Sequence, residues 1–449
     1  MKHNKMRKRE LHGISMIPFG LLAGFAEDDE IRITELAEEG FCFRTLEPVE
    51  KISRFRFCFY DMAASEYQEV AVTQFELLES RSDTVGIPVY EYTVYTEQGA
   101  YRSHAQAMIL QYDRFVRQKL SLEEGEWSEA MCGYPAKKDA DFAKNLVEQK
   151  QAWFAACVEI MTASDAEQLT ETELALELDR PGLYEQYAAM PFAQFLDWYW
   201  QENKAVKLQK WLPVPTRLYL GNAFCHLLFP PENQLFAMLE KAREESLAVT
   251  VTFSYVREYL LTETKALLKR LAVWCRANDC TVEIVVNDWS MFSMLADARD
   301  VLVPCFGTLL NKRKKDPRMC YKKGDTGLFA QNSVNASFYR TYLEERYGIQ
   351  SYEWESCGYT QRLPETANHL HVPFYQTNTS QYCPLYAVCK YGERGRQELP
   401  VNCPGYCSRQ VFLYPKHLNM VGRYNSLFAL DERAFLRKEN VSRIVVNLL

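Results

Sequence analysis

The sequence predicts an α/β protein, with a C-terminal β/α-barrel-like domain preceded by a small antiparallel β-barrel and a helical linker. Three observations lead there. Short alternating strand patterns fill residues 13–120, a strand–helix alternation begins after Pro213-Val-Pro215, and cysteines gather at Cys383, Cys389, Cys403 and Cys407. The expected divisions are residues 1–125 for the small barrel, 126–212 for the connector and 213–449 for the β/α domain.

In the first region EIRITEL, GFCFRTL, RFRFCFYD, EVAVTQFELLES and VYEYTVYT alternate polar with β-branched or aromatic residues, and Gly40, Asp61 and Gly99 mark turns. Short strands at this spacing favour an antiparallel barrel or sandwich. From Asp139 to Asn203 the pattern changes. DFAKNLVEQKQAWFAACVEIM and YEQYAAMPFAQFLDWYWQEN repeat apolar residues at helical spacing, so their aromatic stripe reads as core. Then TRLYLG, LAVTVTFS, TVEIVV, DVLVP and IQSYEWE read as strands. Between them ENQLFAMLEKAREES, ETKALLKRLAVWCRAN, WSMFSMLADA and ASFYRTYLEERYG read as helices. Repeated β–α units imply a parallel sheet whose ligands sit at the carboxyl ends of the strands. Asn222, Cys225, Ser254, Asn287, Asp288 and Cys305 therefore merit attention.

The 449 residues suffice for about three domains of roughly 150 residues. A net charge of −7 argues against a wholesale polyanion-binding surface and leaves room for a local basic patch. No apolar run is long enough to span a membrane. Lys2, Lys5, Arg7, Lys8 and Arg9 before the apolar stretch 14–26 superficially copy a secretory signal, but Pro18, Gly13, Gly20 and Gly24 break it. The cysteine pattern suits a metal set better than a disulfide framework, so the expectation is a reduced cytoplasm.

Thiolates at the spacing of the C-terminal cysteines converge on one soft metal centre, tetrahedral zinc or an Fe–S cluster. Spacing alone selects Cys383, Cys389, Cys403 and Cys407, a self-contained set. Ligand identity does not separate zinc from a cluster. A structural zinc supplies on the order of 10–16 kcal/mol of folding free energy in small domains. A domain this large hardly needs it, which favours a functional cluster.

LYLGNAFCHLLFP, EIVVNDWSMFSML, FGTLLNKRKKDPRM, HLHVPFYQTNTSQYC and NCPGYC follow in an order that resembles the collagenase-like peptidase family U-thirty-two. By motif they resemble its ubiquinone-biosynthesis branch, UbiU and UbiV. The resemblance covers roughly residues 213–425 and implies a β/α-barrel-like domain with a [4Fe–4S] cluster. It carries the ligands over to Cys225 (in Gly221-Asn222-Ala223-Phe224-Cys225), Cys383 (in Ser380-Gln381-Tyr382-Cys383, then Ala387), and the C-x3-C pair Cys403 and Cys407. Cys389 then becomes a spare thiol. The family's cluster-dependent activities include oxygen-independent hydroxylation of ubiquinone precursors and RNA bases. That implies redox or hydroxylation chemistry here, with a second family member as a partner that completes the site.

The relatives carry an acidic residue in the turn matched by Asn287-Asp288-Trp289. Asp288 could bind substrate or exchange protons, or simply cap the helix that starts at Trp289. Lys312, Arg313, Lys314, Lys315 and Arg318 form a basic loop near the expected barrel mouth. A solvated loop is the default; an anionic substrate or an RNA phosphate is the functional reading. His369 and His371 share one strand and are expected to face opposite sides, only one lining the interior. Hydrolase motifs such as G-x-S-x-G and H-E-x-x-H are missing, so peptidase activity does not follow.

The N-terminal region resembles a degenerate PilZ domain, the cyclic di-GMP receptor module. Its R-x-x-x-R arm becomes Lys5-x-x-x-Arg9, and its second motif becomes Glu35-Leu36-Ala37-Glu38-Glu39-Gly40. A lysine cannot reproduce the bidentate arginine grip, and added carboxylates repel phosphate, which argues against cyclic di-GMP as a ligand.

Overall fold

The computed structural model describes residues 11–15, 21–49, 51–61, 66–84, 87–120, 142–313, 315, 329–393, 396, 398–414 and 419–448. They divide into two units, one within 1–132 and one within 133–317 and 326–449.

The first unit is an antiparallel half-barrel of seven strands followed by a helix. The strands are β1 (Leu22–Ala26), β2 (Asp29–Ala37), β3 (Gly40–Thr45), β4 (Phe55–Asp61), β5 (Glu66–Val72), β6 (Glu76–Thr84) and β7 (Ile87–Tyr95), with α1 at Gly99–Leu120. They line up as β5-β4-β1-β2-β3-β7-β6. Alternation puts Phe41, Phe43, Phe55, Phe57 and Phe59 into one core, where the Phe41 ring meets Phe55 and Phe57 edge-on at 4.9 and 4.7 Å. Tyr101 of α1 donates to the carbonyls of Ala37 and Gly40 and so fastens the helix to the β2–β3 hairpin. The stretch Glu35–Gly40 is the tip of that hairpin. Lys5 and Arg9 lie outside the described residues.

The second unit is a closed barrel of eight parallel strands. Its elements are α2 (Phe142–Glu159), α3 (Ala163–Glu171), β8 (Glu173–Leu178), α4 (Pro181–Ala189), α5 (Phe192–Glu202), α6 (Val206–Gln209) and β9 (Arg217–Gly221). There follow α7 (Glu232–Glu244), β10 (Ala248–Thr252), α8 (Leu261–Ala277), β11 (Val282–Val286), α9 (Trp289–Met294), β12 (Leu302–Phe306), α10 (Ser337–Tyr347) and β13 (Ser351–Glu355). The chain finishes with β14 (Ala367–Thr379), α11 (Pro384–Tyr391), β15 (Phe412–Leu413), β16 (Met420–Arg423), β17 (Ser426–Leu430) and β18 (Arg443–Asn447). The strands close in the order β8-β9-β10-β11-β12-β13-β14-β18, and β18 returns to β8. The barrel therefore begins before residue 213. ELALEL, inside the stretch expected to be connector, is its first strand, because five of its six residues are buried between β18 and β9.

β14 does double duty. Residues 367–373 pair in parallel with β13 and β18, and residues 374–379 pair antiparallel with β17. With β16 and β15 this second half builds a small antiparallel sheet beyond the barrel rim. The segment linking its strands carries Cys383, Cys403 and Cys407. Inside the barrel, Ala175, Tyr219, Val285, Cys305 and Val445 form a middle layer. Buried charged side chains surround that layer, where such barrels ordinarily stack branched aliphatics.

Candidate metal centre and barrel-mouth cleft

Cys225 is placed by the turn that ends β9. Gly221 has φ +119°, and a Cβ there would lie 2.1 Å from the carbonyl oxygen of Thr252, so only glycine lets the chain leave this strand. Asn222 then accepts from the N–H groups of Phe224 and Cys225, both at 2.8 Å, and donates to the carbonyl of Asp179. This side-chain turn aims Cys225 at the C-terminal segment. Cys383 caps α11, with Pro384 following in the first turn; its sulfur accepts from the Tyr386 N–H at 3.3 Å. Cys403 accepts from the N–H of Gly405 at 3.4 Å, and Gly405 sits in the left-handed region at φ +77°. The carbonyl of Cys407 is held by the guanidinium of Arg423.

Cys225, Cys383, Cys403 and Cys407 line one small cavity together with Leu228, Tyr386 and Tyr424. Burial pushes the thiols of Cys225, Cys383 and Cys407 up to about 12, and the neighbouring cysteines add to the rise. A bound cation reverses that preference, because a coordinating thiol is deprotonated. The four sulfurs are spread more widely than a single ion requires. Among the described residues, the group of potential ligand atoms that all lie within 4.8 Å of one another is a different one, Cys305, Glu353 and His369. Thiolates around one zinc at about 2.3 Å would fall well inside that limit. Cys389 points elsewhere and donates to the side-chain oxygen of Gln410 at 2.8 Å.

A cleft of about 760 Å³ opens at the carboxyl ends of the strands, lined by Tyr255, Asp288, Trp289, Lys312, Arg313 and Lys315 among others. Asp288 lies at its wall with both oxygens engaged. One accepts from the Ser290 N–H at 2.9 Å, capping α9, and the other from the Val256 N–H at 3.0 Å. Arg313 donates to Gln361 and to the carbonyls of Phe329 and Ala330, and lies over the rings of Trp354 and Tyr359. Lys315 pairs with Glu355. Lys312 lines the cleft with an exposed side chain. Lys314 and Arg318 lie outside the described residues. Tyr255 lines the cleft and is within electrostatic reach of Cys225. Arg257 stacks on Tyr255 and donates to Gln381, two residues before Cys383.

His369 and His371 both face the interior, contrary to the expectation from sequence. Residues two apart on a strand share a face, and both imidazoles reach Glu353, at 2.9 Å from Nδ1 of His369 and 2.7 Å from Nε2 of His371. Nδ1 of His371 lies 3.5 Å from Glu177. Burial disfavours a charged His371, but hydrogen bonds with Glu177 and Glu353 outweigh it and push its pKa up to about 10. Burial likewise opposes ionisation of Glu353, yet the two histidines hold its carboxyl well below the usual range. Sequence reading missed Glu177, Glu353 and Glu355. The signal was a pair of carboxylates on one face of each strand, Glu173 and Glu177 in ELALEL and Glu353 and Glu355 in SYEWE, among mostly apolar or aromatic residues.

No protein-family model matches the chain, and no curated protein matches it. Two solved structures are similar to part of it. One is an uncharacterised Legionella protein, at 9% identity over 23% of this chain and 96% of its own, with a TM-score of 0.16. The other is the PilZ domain with c-di-GMP of YcgR from Escherichia coli, at 16% identity over 26% of this chain and 98% of its own, with a TM-score of 0.18. Among the described residues no helix is long and apolar enough to cross a membrane.

Proposed function

We propose that this chain is an iron–sulfur protein of the U-thirty-two type. On this reading Cys225, Cys383, Cys403 and Cys407 hold a [4Fe–4S] cluster beside a cleft that takes an anionic small molecule or RNA. The observation that carries it is the convergence of these four sulfurs on one cavity at a spacing wider than a single ion needs. Backbone N–H groups of Tyr386 and Gly405 aimed at two of the sulfurs suit cluster thiolates, whose potential such bonds tune. A bound cluster supplies one-electron transfer, which fits redox or oxygen-independent hydroxylation chemistry better than peptide hydrolysis.

The protein's own groups would bind and orient. Lys312 offers charge to an anionic group, and Tyr255 and Trp289 offer rings for a planar one. Arg313 and Lys315 are tied to protein partners, and Asp288 to two backbone donors, so these three shape the wall. The test is anaerobic purification with iron, sulfide and zinc analysis. About four iron atoms per chain, lost in Cys225→Ser and kept in Cys389→Ser, support the reading. Colourless protein with stoichiometric zinc overturns it in favour of a metal-stabilised scaffold.

A further inference from the structure

We propose that the centre of the barrel is a second metal site, distinct from the cysteine cavity. Cys305, Glu353 and His369 with Tyr219 bind one divalent transition ion of the zinc kind there. The argument starts from distances. Sγ of Cys305 lies 3.1 Å from Oε1 of Glu353 and 3.7 Å from Nδ1 of His369, and those two atoms lie 2.9 Å apart. The Tyr219 hydroxyl lies 3.0 Å from the same carboxylate oxygen and 3.4 Å from the same imidazole nitrogen. A tetrahedral ion with Zn–N and Zn–O near 2.0 Å and Zn–S near 2.3 Å has ligand-to-ligand edges of roughly 3.3–3.7 Å. Two of the five distances lie in that range and three lie a few tenths of an ångström below it, so the donors open slightly around an ion. Four strands supply the donors: β9, β12, β13 and β14.

The surroundings are built as a metal site's outer layer. The second oxygen of Glu353 receives Nε2 of His371 at 2.7 Å, and the Tyr219 hydroxyl receives Nη1 of Arg443 at 2.9 Å, contacts of the type that fix ligand orientation. Arg443 also lies 3.1 Å from Nδ1 of His369, but its guanidinium is neutralised by Glu173 and Glu283 and remains bonded to both when that nitrogen turns to an ion. The charge balance asks for a cation. Among the described residues, Glu173, Glu177, Glu283 and Glu353 face two guanidiniums, Arg217 and Arg443, a shortfall of two positive charges. A divalent ion that binds the Cys305 sulfur and releases the thiol proton to solvent reduces that shortfall, with no redox change. Burial of isolated charge is costly, so this balance has consequences for stability. His371 lines the small cavity at the barrel mouth and touches Glu353, which gives the ion its way in.

This site does not rest on the cluster reading, and its test separates the two. The probe is Co(II), supplied during growth, with metal counted per chain and the thiolate-to-cobalt band recorded. In the variant Cys225→Ser/Cys383→Ser/Cys403→Ser/Cys407→Ser, one ion and the band persist. In Cys305→Ser, made in the otherwise intact chain, the band disappears while iron and sulfide stay as in the parent. His369→Gln lowers occupancy at least tenfold. No divalent ion in the four-cysteine variant overturns the proposal. If that variant does not fold, a band unchanged by Cys305→Ser overturns it equally well.

Discussion

Asp288 offers the sharpest discrimination between a structural and a chemical role. Replacing it by alanine removes acceptors for two backbone donors, Ser290 at 2.9 Å and Val256 at 3.0 Å. Loss of the helix cap costs about 1 kcal/mol, and loss of a second bond to a charged acceptor about 2 kcal/mol. Asp288→Ala should therefore destabilise the barrel by roughly 3 kcal/mol. Asp288→Asn keeps one carbonyl acceptor for the cap and should cost about half as much. Urea unfolding followed by near-UV circular dichroism reads both values, since Trp200 and Trp354 are buried in this unit. The same pair of variants reads function, because Asn preserves the turn while removing any proton exchange. Equal stability losses for Ala and Asn, or a loss below about 0.5 kcal/mol for Ala, would refute the capping argument. Full stability with abolished turnover in Asn would restore a catalytic role.

Three further outcomes follow from the geometry. Gly221→Ala should cost about 3 kcal/mol by forcing a Cβ against the Thr252 carbonyl, and should displace Cys225, measured as lower iron content after reconstitution. Burial pushes the Glu283 carboxyl up, but hydrogen bonds and charge from Arg443 pull it below its ordinary value of 4.5. Its stabilising contribution is thus present above that pH and lost as pH falls through the depressed folded value. Acid unfolding of Glu283→Gln should consequently show a flatter low-pH limb than the parent; parallel limbs would contradict this. Cys389→Ser should change thermal stability by less than about 1 kcal/mol, because it loses one partly buried bond to Gln410.

The architecture was legible where local pattern and tertiary role agreed. TRLYLG, LAVTVTFS and TVEIVV are apolar runs bounded by helices, and each became a barrel strand. ELALEL was hidden because its neighbours α3 and α4 are helical, so its six residues read as part of one helical stretch. The last strand, β18, was also passed over; it is a run of five residues that follows turns and not a helix. Among candidate ligands, Cys225 could be joined to the C-terminal cysteines only by resemblance, since more than 150 residues separate them in sequence and the barrel's curvature brings them together. The capping role of Asp288 was readable, since an acidic residue directly before a helical run is a common cap, but the role of Arg313 was not. Charge in a loop says nothing about whether carbonyls will claim it, as Phe329 and Ala330 claim Arg313. The interior network of Glu353, His369 and Arg443 depends on register between β13, β14 and β18, which no single segment encodes.

The seam between β8 and β18 sets a timetable for synthesis. Arg443 and Glu173, which meet across it, are 270 positions apart. At about 5–20 residues per second, β8 waits roughly 15–50 s for its last neighbour to emerge. Cys225, Cys383, Cys403 and Cys407 all precede β18, and so do Cys305, Glu353 and His369. During that interval β8 lacks one of its two barrel neighbours, and on the proposed reading ions can load before the barrel seals. Once β18 enters, exchange must pass the His371 side of the mouth. Metal content would then be a record of the conditions of translation more than of the buffer in which the finished protein is kept.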